Sequence, residues 1–228
     1  TGASPATLRS LEKSGILTLE KHEVLRRVRV EDVEPAGPVE LNQEQEAAFR
    51  GLDRFCLRGE AGAALLYGVT GRGKTQIYIR LIQEVLARGQ TAMVLVPEIS
   101  LTPQLLRVFA SHFGELVAVL HSSLRSGERY EWKRVRSGAA RVVLGTRSAV
   151  FAPLDHIGLI VLDEEQESSY KSENAPRYHA RDVAKYRCVQ HRAVLLLGSA
   201  TPAVESMYQA REGRYRLFTL SQRFNQQA

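Results

Sequence analysis

The chain has 228 residues, of which 44% are hydrophobic and 25% charged; Lys and Arg outnumber Asp and Glu by 31 to 25, and the pI is about 9.5. That length holds one large α/β domain with a small appendage, and the composition excludes a disordered, collagen-like or disulfide-scaffolded chain. The basic balance suits a polyanionic partner without selecting one.

Cys56 and Cys188 lie far apart with no CxxC pair or neighbouring histidine cluster, so neither zinc nor a disulfide framework is suggested here and a reducing, cytoplasmic setting is expected. Apolar runs such as 93–96 and 195–198 fall far short of the roughly 20 residues that cross a bilayer, so no membrane span is expected. Residues 1–5, Thr-Gly-Ala-Ser-Pro, lack a basic stretch followed by an apolar one and do not read as a secretory signal.

In chain order, Ser4-Pro5 can open a short helix through Leu8, Leu11 and Glu12, ended by Ser14-Gly15, with strand candidates at 16–19 and 24–30. So few apolar positions cannot bury a core, so residues 1–30 read either as the tail of another domain or as a disordered leader. Residues 31–40 carry two prolines, one glycine and four acids and read as a linker. Asn42 then caps a predicted helix over 43–52, with Ala47, Ala48 and Leu52 facing inward.

From residue 63 onward, short apolar runs alternate with amphipathic stretches. Strands are predicted at 63–67, 91–96, 116–120, 141–145, 159–162 and 193–198, with helices between most of them. This is the pattern of an α/β domain with a mainly parallel sheet covered on both faces.

After the first of these strands, Gly68-Val69-Thr70-Gly71-Arg72-Gly73-Lys74-Thr75 matches GxxxxGK[ST] and opens a helix through Ile77, Ile79, Leu81, Ile82 and Leu86. The glycines let backbone N–H groups converge on phosphate oxygens at a helix N-terminus. Lys74 adds a point charge for the β- and γ-phosphates, and the Thr75 hydroxyl can ligate Mg²⁺. Nucleotide binding follows, and with it a P-loop fold.

The strand at 159–162 delivers Asp163-Glu164-Glu165 to its C-terminal end, where ligands gather in open α/β sheets. Asp163 is the candidate to hold Mg²⁺, and Glu164 the candidate to orient and deprotonate the attacking water.

With those two motifs in place, the remaining segments resemble superfamily 2 helicases and, more narrowly, the PriA family of replication restart helicases. Leu41-Asn42-Gln43-Glu44-Gln45 is similar to the family's upstream element, which makes Gln45 the candidate to read adenine. Leu95 to Thr102, reading Leu-Val-Pro-Glu-Ile-Ser-Leu-Thr, resembles motif Ia, and Gly145-Thr146-Arg147-Ser148-Ala149-Val150-Phe151-Ala152-Pro153 resembles motif Ib. Gly198-Ser199-Ala200-Thr201-Pro202 resembles motif III. Residues 168–184, from Ser168-Ser169-Tyr170-Lys171 through Arg177-Tyr178-His179-Ala180-Arg181, are similar to the family's aromatic-rich loop.

The resemblance implies a RecA-like lobe over 41–228, preceded by the end of a winged-helix domain over 1–30. Sugar-phosphate contacts are expected from Ser100, Thr102, Thr146, Arg147 and Ser148. Tyr170 and Tyr178, interleaved with Lys171, Arg177 and Arg181, would stack bases and hold the backbone. The same tyrosines would equally pack a surface loop against the sheet, and the residues alone leave both readings open. Ser199 and Thr201 would couple the two activities, although Gly-Ser-Ala-Thr-Pro also makes a plain strand-ending turn.

Two positions depart from the family pattern: Arg72 stands where a small residue is usual, and Gln166 where histidine is usual. Glutamine can still link motif II to motif III but cannot become cationic, so altered coupling is expected rather than lost nucleotide binding.

The resemblance further implies ATP and Mg²⁺ as cofactors, forked or single-stranded DNA as substrate, and primosome proteins and single-stranded DNA-binding protein as partners. It places a second lobe with the arginine finger and the zinc-binding cysteines outside this chain. This lobe by itself is therefore expected to turn over little nucleotide or none. An alternative is a DNA-structure-binding recruitment protein with weakened or lost ATPase activity, prompted by Arg72 and Gln166.

Overall fold

A computed structural model describes residues 33–69, 73–121 and 128–221, together with Leu11, Ser14 and Ile16. The expected winged-helix segment therefore falls outside the described residues apart from those three positions. Among the described residues, seven strands form a single all-parallel sheet: β1 (Gly62–Gly68), β2 (Thr91–Leu95), β3 (Val117–Leu120), β4 (Val142–Gly145), β5 (Ile157–Asp163), β6 (Val194–Ser199) and β7 (Arg216–Leu220). Their spatial order is β3-β4-β2-β5-β6-β1-β7.

The six predicted strands form within two residues of their expected bounds. The seventh, β7, is a finding of the structure, pairing Ala64 to Gly68 of β1 with Arg216 to Leu220.

The inner strands are apolar without interruption because both faces are covered. Successive residues of β1, Ala64, Leu65 and Leu66, turn alternately to two separate cores. One core lies under α1 (Gln43–Cys56), α2 (Lys74–Ala87) and α3 (Pro103–Phe113), through Leu52, Ile77, Ile82 and Phe109. The other lies under α4 (Glu128–Arg136), α5 (Ala180–His191) and α6 (Val204–Arg211), through Val135, Ala184, Cys188 and the partly buried Met207.

Asn42 caps α1 as expected. Its side chain accepts the Gln45 N–H, and the Gln45 side chain accepts the Asn42 N–H, so two otherwise unpaired donors are satisfied together. The inward face of α1 differs from the expectation: Ala47 is exposed, while Ala48, Phe49, Leu52 and Phe55 are buried. Phe49 brings more apolar area to the core than Ala47 would, and that sets the helix rotation. Before α1, residues 33–42 carry no regular secondary structure, and the Ala36 N–H donates to the Ser111 carbonyl of α3 at 2.9 Å.

The register sets the site. Asp163 of β5 lies opposite Gly198 of β6, and Ser199 lies opposite Tyr67 of β1. The C-terminal ends of β1, β5 and β6 therefore finish at one level, with β6 in the middle.

Candidate functional site

Beyond β1 the chain passes Val69 and enters α2 at Gly73; Thr70, Gly71 and Arg72 lie outside the described residues. Gly73 is the N-cap of α2 in a left-handed conformation, φ 74°, with no side-chain cap on the helix. A Cβ on Gly73 would stand 2.2 Å from Gln45 Nε2, so both the backbone angle and the space call for glycine. The first N–H groups of α2 are left for a ligand, and the macrodipole favours an anion there.

Lys74 is buried, at 7% exposure. Its Nζ donates to the Gly68 carbonyl at 2.8 Å and lies 3.8 Å from Glu164 Oε1. The ammonium thus bridges the root of the phosphate loop and the acidic motif. Thr75 and Asp163 line one cavity of about 750 Å³, and Gln76, Ser100 and Thr102 share its wall. A hydroxyl and a carboxylate facing one cavity, beside a helix N-terminus and a lysine, fit a Mg²⁺-bound triphosphate.

At the end of β5 each acid has a separate environment. The Asp163 carboxyl is pushed above its usual range chiefly by burial, with the Tyr78 hydroxyl bond and the Lys74 charge acting against that. The Tyr78 O–H donates to Asp163 Oδ1 at 2.9 Å. Glu164 sits at φ 46°, a left-handed conformation that a non-glycine residue adopts at a cost. Its Oε2 accepts from Gln166 Nε2 at 3.0 Å.

Gln166 Oε1 in turn accepts the Ser199 O–H at 2.6 Å, and Ser199 Oγ accepts the Thr201 N–H at 2.9 Å. One glutamine amide therefore ties the acid motif to the end of β6, with donor and acceptor both used. Thr201 itself is exposed and enters this chain through its backbone.

Glu165 is buried, and it collects three donors. Its Oε1 accepts the Ala203 N–H at 2.8 Å, and its Oε2 accepts from Ser206 Oγ at 2.8 Å and Arg181 Nη1 at 3.1 Å. It anchors α5 and α6 to the end of β5.

Several residues expected to hold DNA are placed otherwise. Tyr170 is fully buried, its hydroxyl 2.6 Å from the Asp163 carbonyl and 2.9 Å from the Leu95 carbonyl, so neither ring face is open to a base. Arg181 is taken up by Glu165 and Ser206. Arg147 Nη1 donates to the Ser169 and Lys171 carbonyls at 3.1 and 2.6 Å, shaping the loop from within. Thr146 is buried at 3% exposure, which removes its hydroxyl from the surface. Gln45, at 1% exposure and with its carbonyl oxygen bound in the helix cap, has no edge open to adenine.

Ser100 and Ser148 are half-buried, and Thr102 is exposed while its hydroxyl accepts the Leu105 N–H as cap of α3. Lys171 and Arg177 are exposed, and half-buried Tyr178 meets the Phe151 ring edge-on at 4.9 Å. Phe151 is 48% exposed and was not singled out from the sequence, nor were Tyr78 and the anchoring role of Glu165. Helical spacing marks Tyr78 only as a core residue. The exposed Phe151 sits inside the motif Ib segment, and its aromatic character is the signal that would have found it.

A parallel sheet with a lysine-bearing loop after one strand and an acidic cluster after another defines a P-loop nucleotide-binding lobe. The family model for DEAD/DEAH box helicases matches residues 43–210, and the chain belongs to that family. The chain is 46% identical over 227 residues to the replication restart protein PriA of Bacillus subtilis, covering 99% of this chain and 28% of that protein. Against PriA of Synechocystis it is 44% identical over 207 residues, covering 90% of this chain and 24% of the relative. The resemblance read from the motifs is borne out, and the chain spans about a quarter of the length of these relatives. Among solved structures, RecG bound to a three-way DNA junction matches with a TM-score of 0.58 at 23% identity, over 80% of this chain and 24% of that one, a likeness of fold.

Among the described residues, no helix is long and apolar enough to cross a membrane.

Proposed function

We propose that this chain is the ATP-binding lobe of a 3′-to-5′ DNA helicase that engages stalled or forked DNA and promotes primosome assembly and replication restart. The observation that carries the reading is the polar chain Lys74, Glu164, Gln166, Ser199, which runs from the phosphate loop through the acid motif to the end of β6. The names of the PriA relatives support DNA at replication forks as the substrate class.

In this reading the α2 N-terminus and Lys74 hold the β- and γ-phosphates, with Gly73 allowing their close approach. Thr75 and Asp163 would hold Mg²⁺, which when bound neutralises charge on the phosphates. Glu164 accepts the proton of the attacking water, its carboxylate aimed by Lys74 on one oxygen and Gln166 on the other. Gln166 reports the position of Ser199, and hence of motif III, to that carboxylate. Lys171, Arg177, Tyr178 and Ser148 remain as the DNA-facing set, while Ser100 and Thr102, first expected there, stand on the wall of the nucleotide cavity. The alternative of a recruitment protein with lost ATPase gains nothing at Gln166, which makes both hydrogen bonds that the coupling needs.

Titration with a fluorescent ATP analogue and Mg²⁺ tests the phosphate site. Lys74→Ala is expected to weaken binding by about 100-fold or more, as loss of a buried charge-assisted contact. Binding unaltered by Lys74→Ala would overturn the assignment.

A further inference from the structure

Tyr78 has no part in the mechanism so far. It lies one turn beyond Lys74 on α2, is 1% exposed, and donates its hydroxyl proton to Asp163 Oδ1 at 2.9 Å. The strand between β1 and β5 leaves room for it: a Cβ on Gly198 would stand 1.8 Å from the Tyr78 hydroxyl and 3.0 Å from Asp163 Oδ1. Gly198 is also the register partner of Asp163. A buried tyrosine hydroxyl needs an acceptor, and a backbone carbonyl would satisfy it. Here the acceptor is instead one oxygen of the carboxylate that shares a cavity with Thr75.

We propose that Tyr78 is a positioning residue for the metal-binding carboxylate, and that Gly198 is small in order to admit its hydroxyl. The proposal rests on the reading of Asp163 as the Mg²⁺-holding group. By occupying Oδ1, the hydroxyl fixes the rotation of the carboxylate and leaves the other oxygen for the metal, as outer-shell partners do in metal sites. Because α2 also carries Lys74 and Thr75, the same helix then sets the phosphate contact, one metal ligand and the orientation of the other.

The test is the Mg²⁺ dependence of fluorescent ATP-analogue binding to the full chain, for Tyr78→Phe, Gly198→Ala, the double variant and Asp163→Asn. Tyr78→Phe keeps the ring and is expected to raise the Mg²⁺ concentration for half-saturation about tenfold, the low end of outer-shell effects, while Mg²⁺-free nucleotide affinity stays within about twofold. Gly198→Ala is expected to give the same phenotype by displacing the hydroxyl. The double variant is expected to be no worse than the worse single one, since both remove one bond.

If Tyr78→Phe leaves the Mg²⁺ dependence unchanged while Asp163→Asn abolishes it, the positioning role is overturned and the metal reading stands. Should Asp163→Asn also leave it unchanged, the metal reading itself fails. Equal loss of Mg²⁺-free binding in Tyr78→Phe would make Tyr78 a structural residue only and would overturn the proposal too.

Discussion

The two ends of the candidate site use the same kinds of side chain in opposite ways. Around the phosphate loop, Lys74, Glu164, Gln166 and Ser199 are bonded mainly to one another, so a change at one is felt at the next. Around the loop after β5, Arg147 and Tyr170 are bonded to backbone carbonyls, and Arg181 to a buried glutamate; they fix the shape of the surface without forming part of it. What faces outward there is a smaller set, Phe151, Lys171 and Arg177. An arginine or tyrosine in a nucleic-acid motif can thus be scaffold, and burial decides which.

The largest expected effect would break this comparison if it failed. Tyr170→Ala should destabilise the fold by about 3–5 kcal/mol, the usual result of truncating a buried aromatic. Tyr170→Phe should cost about 1–3 kcal/mol, because buried carbonyls lose their partner. Urea unfolding reads both, and a loss of DNA affinity with unchanged stability would return Tyr170 to the binding set.

In the full-length protein, Gln166→Leu removes both amide bonds and is expected to lower DNA-stimulated ATP hydrolysis by about tenfold, the rate equivalent of one hydrogen bond. Nucleotide affinity should stay within about twofold, so a matching loss of affinity would mean that Gln166 shapes the nucleotide pocket rather than coupling it.

The smallest effect sharpens the contrast. Lys171→Ala and Arg177→Ala should each lower the salt slope of DNA binding by about one, with stability unchanged. Arg147→Ala should instead lower stability, and a salt-slope change without destabilisation would move it back to the surface set.

Legibility from sequence followed the same division. The six predicted strands were readable because burial makes β1 to β6 continuous apolar runs, the edge strand β3 included. Strand β7 was not, since Arg216, Leu217, Phe218 and Thr219 alternate between half-buried and exposed at a sheet edge and make no such run. Lys74, Asp163 and Glu164 were legible because each sits just beyond a recognisable strand, a position that fixes exposure to the ligand side. Tyr170 and Tyr178 were not separable by sequence: eight residues apart on one loop, one ends buried against the ends of β2 and β5 and the other beside Phe151. Gln45 reads as a nucleotide contact in the motif and is a helix cap in the structure, since the same amide serves either task.

The strand order has a consequence for how the lobe is made. Among the described residues, β1, which ends in the phosphate loop, pairs only with β6 and β7, and its first partner position to Gly62 is Val194. Strands β2 to β5 can pair among themselves as they emerge, whereas β1 must wait for a segment that the ribosome delivers on the order of ten seconds later. The closure entropy of that long loop falls on this one pairing. The first strand of this sheet is thus docked among the last, and the lobe becomes able to hold a nucleotide only when its sheet is nearly complete.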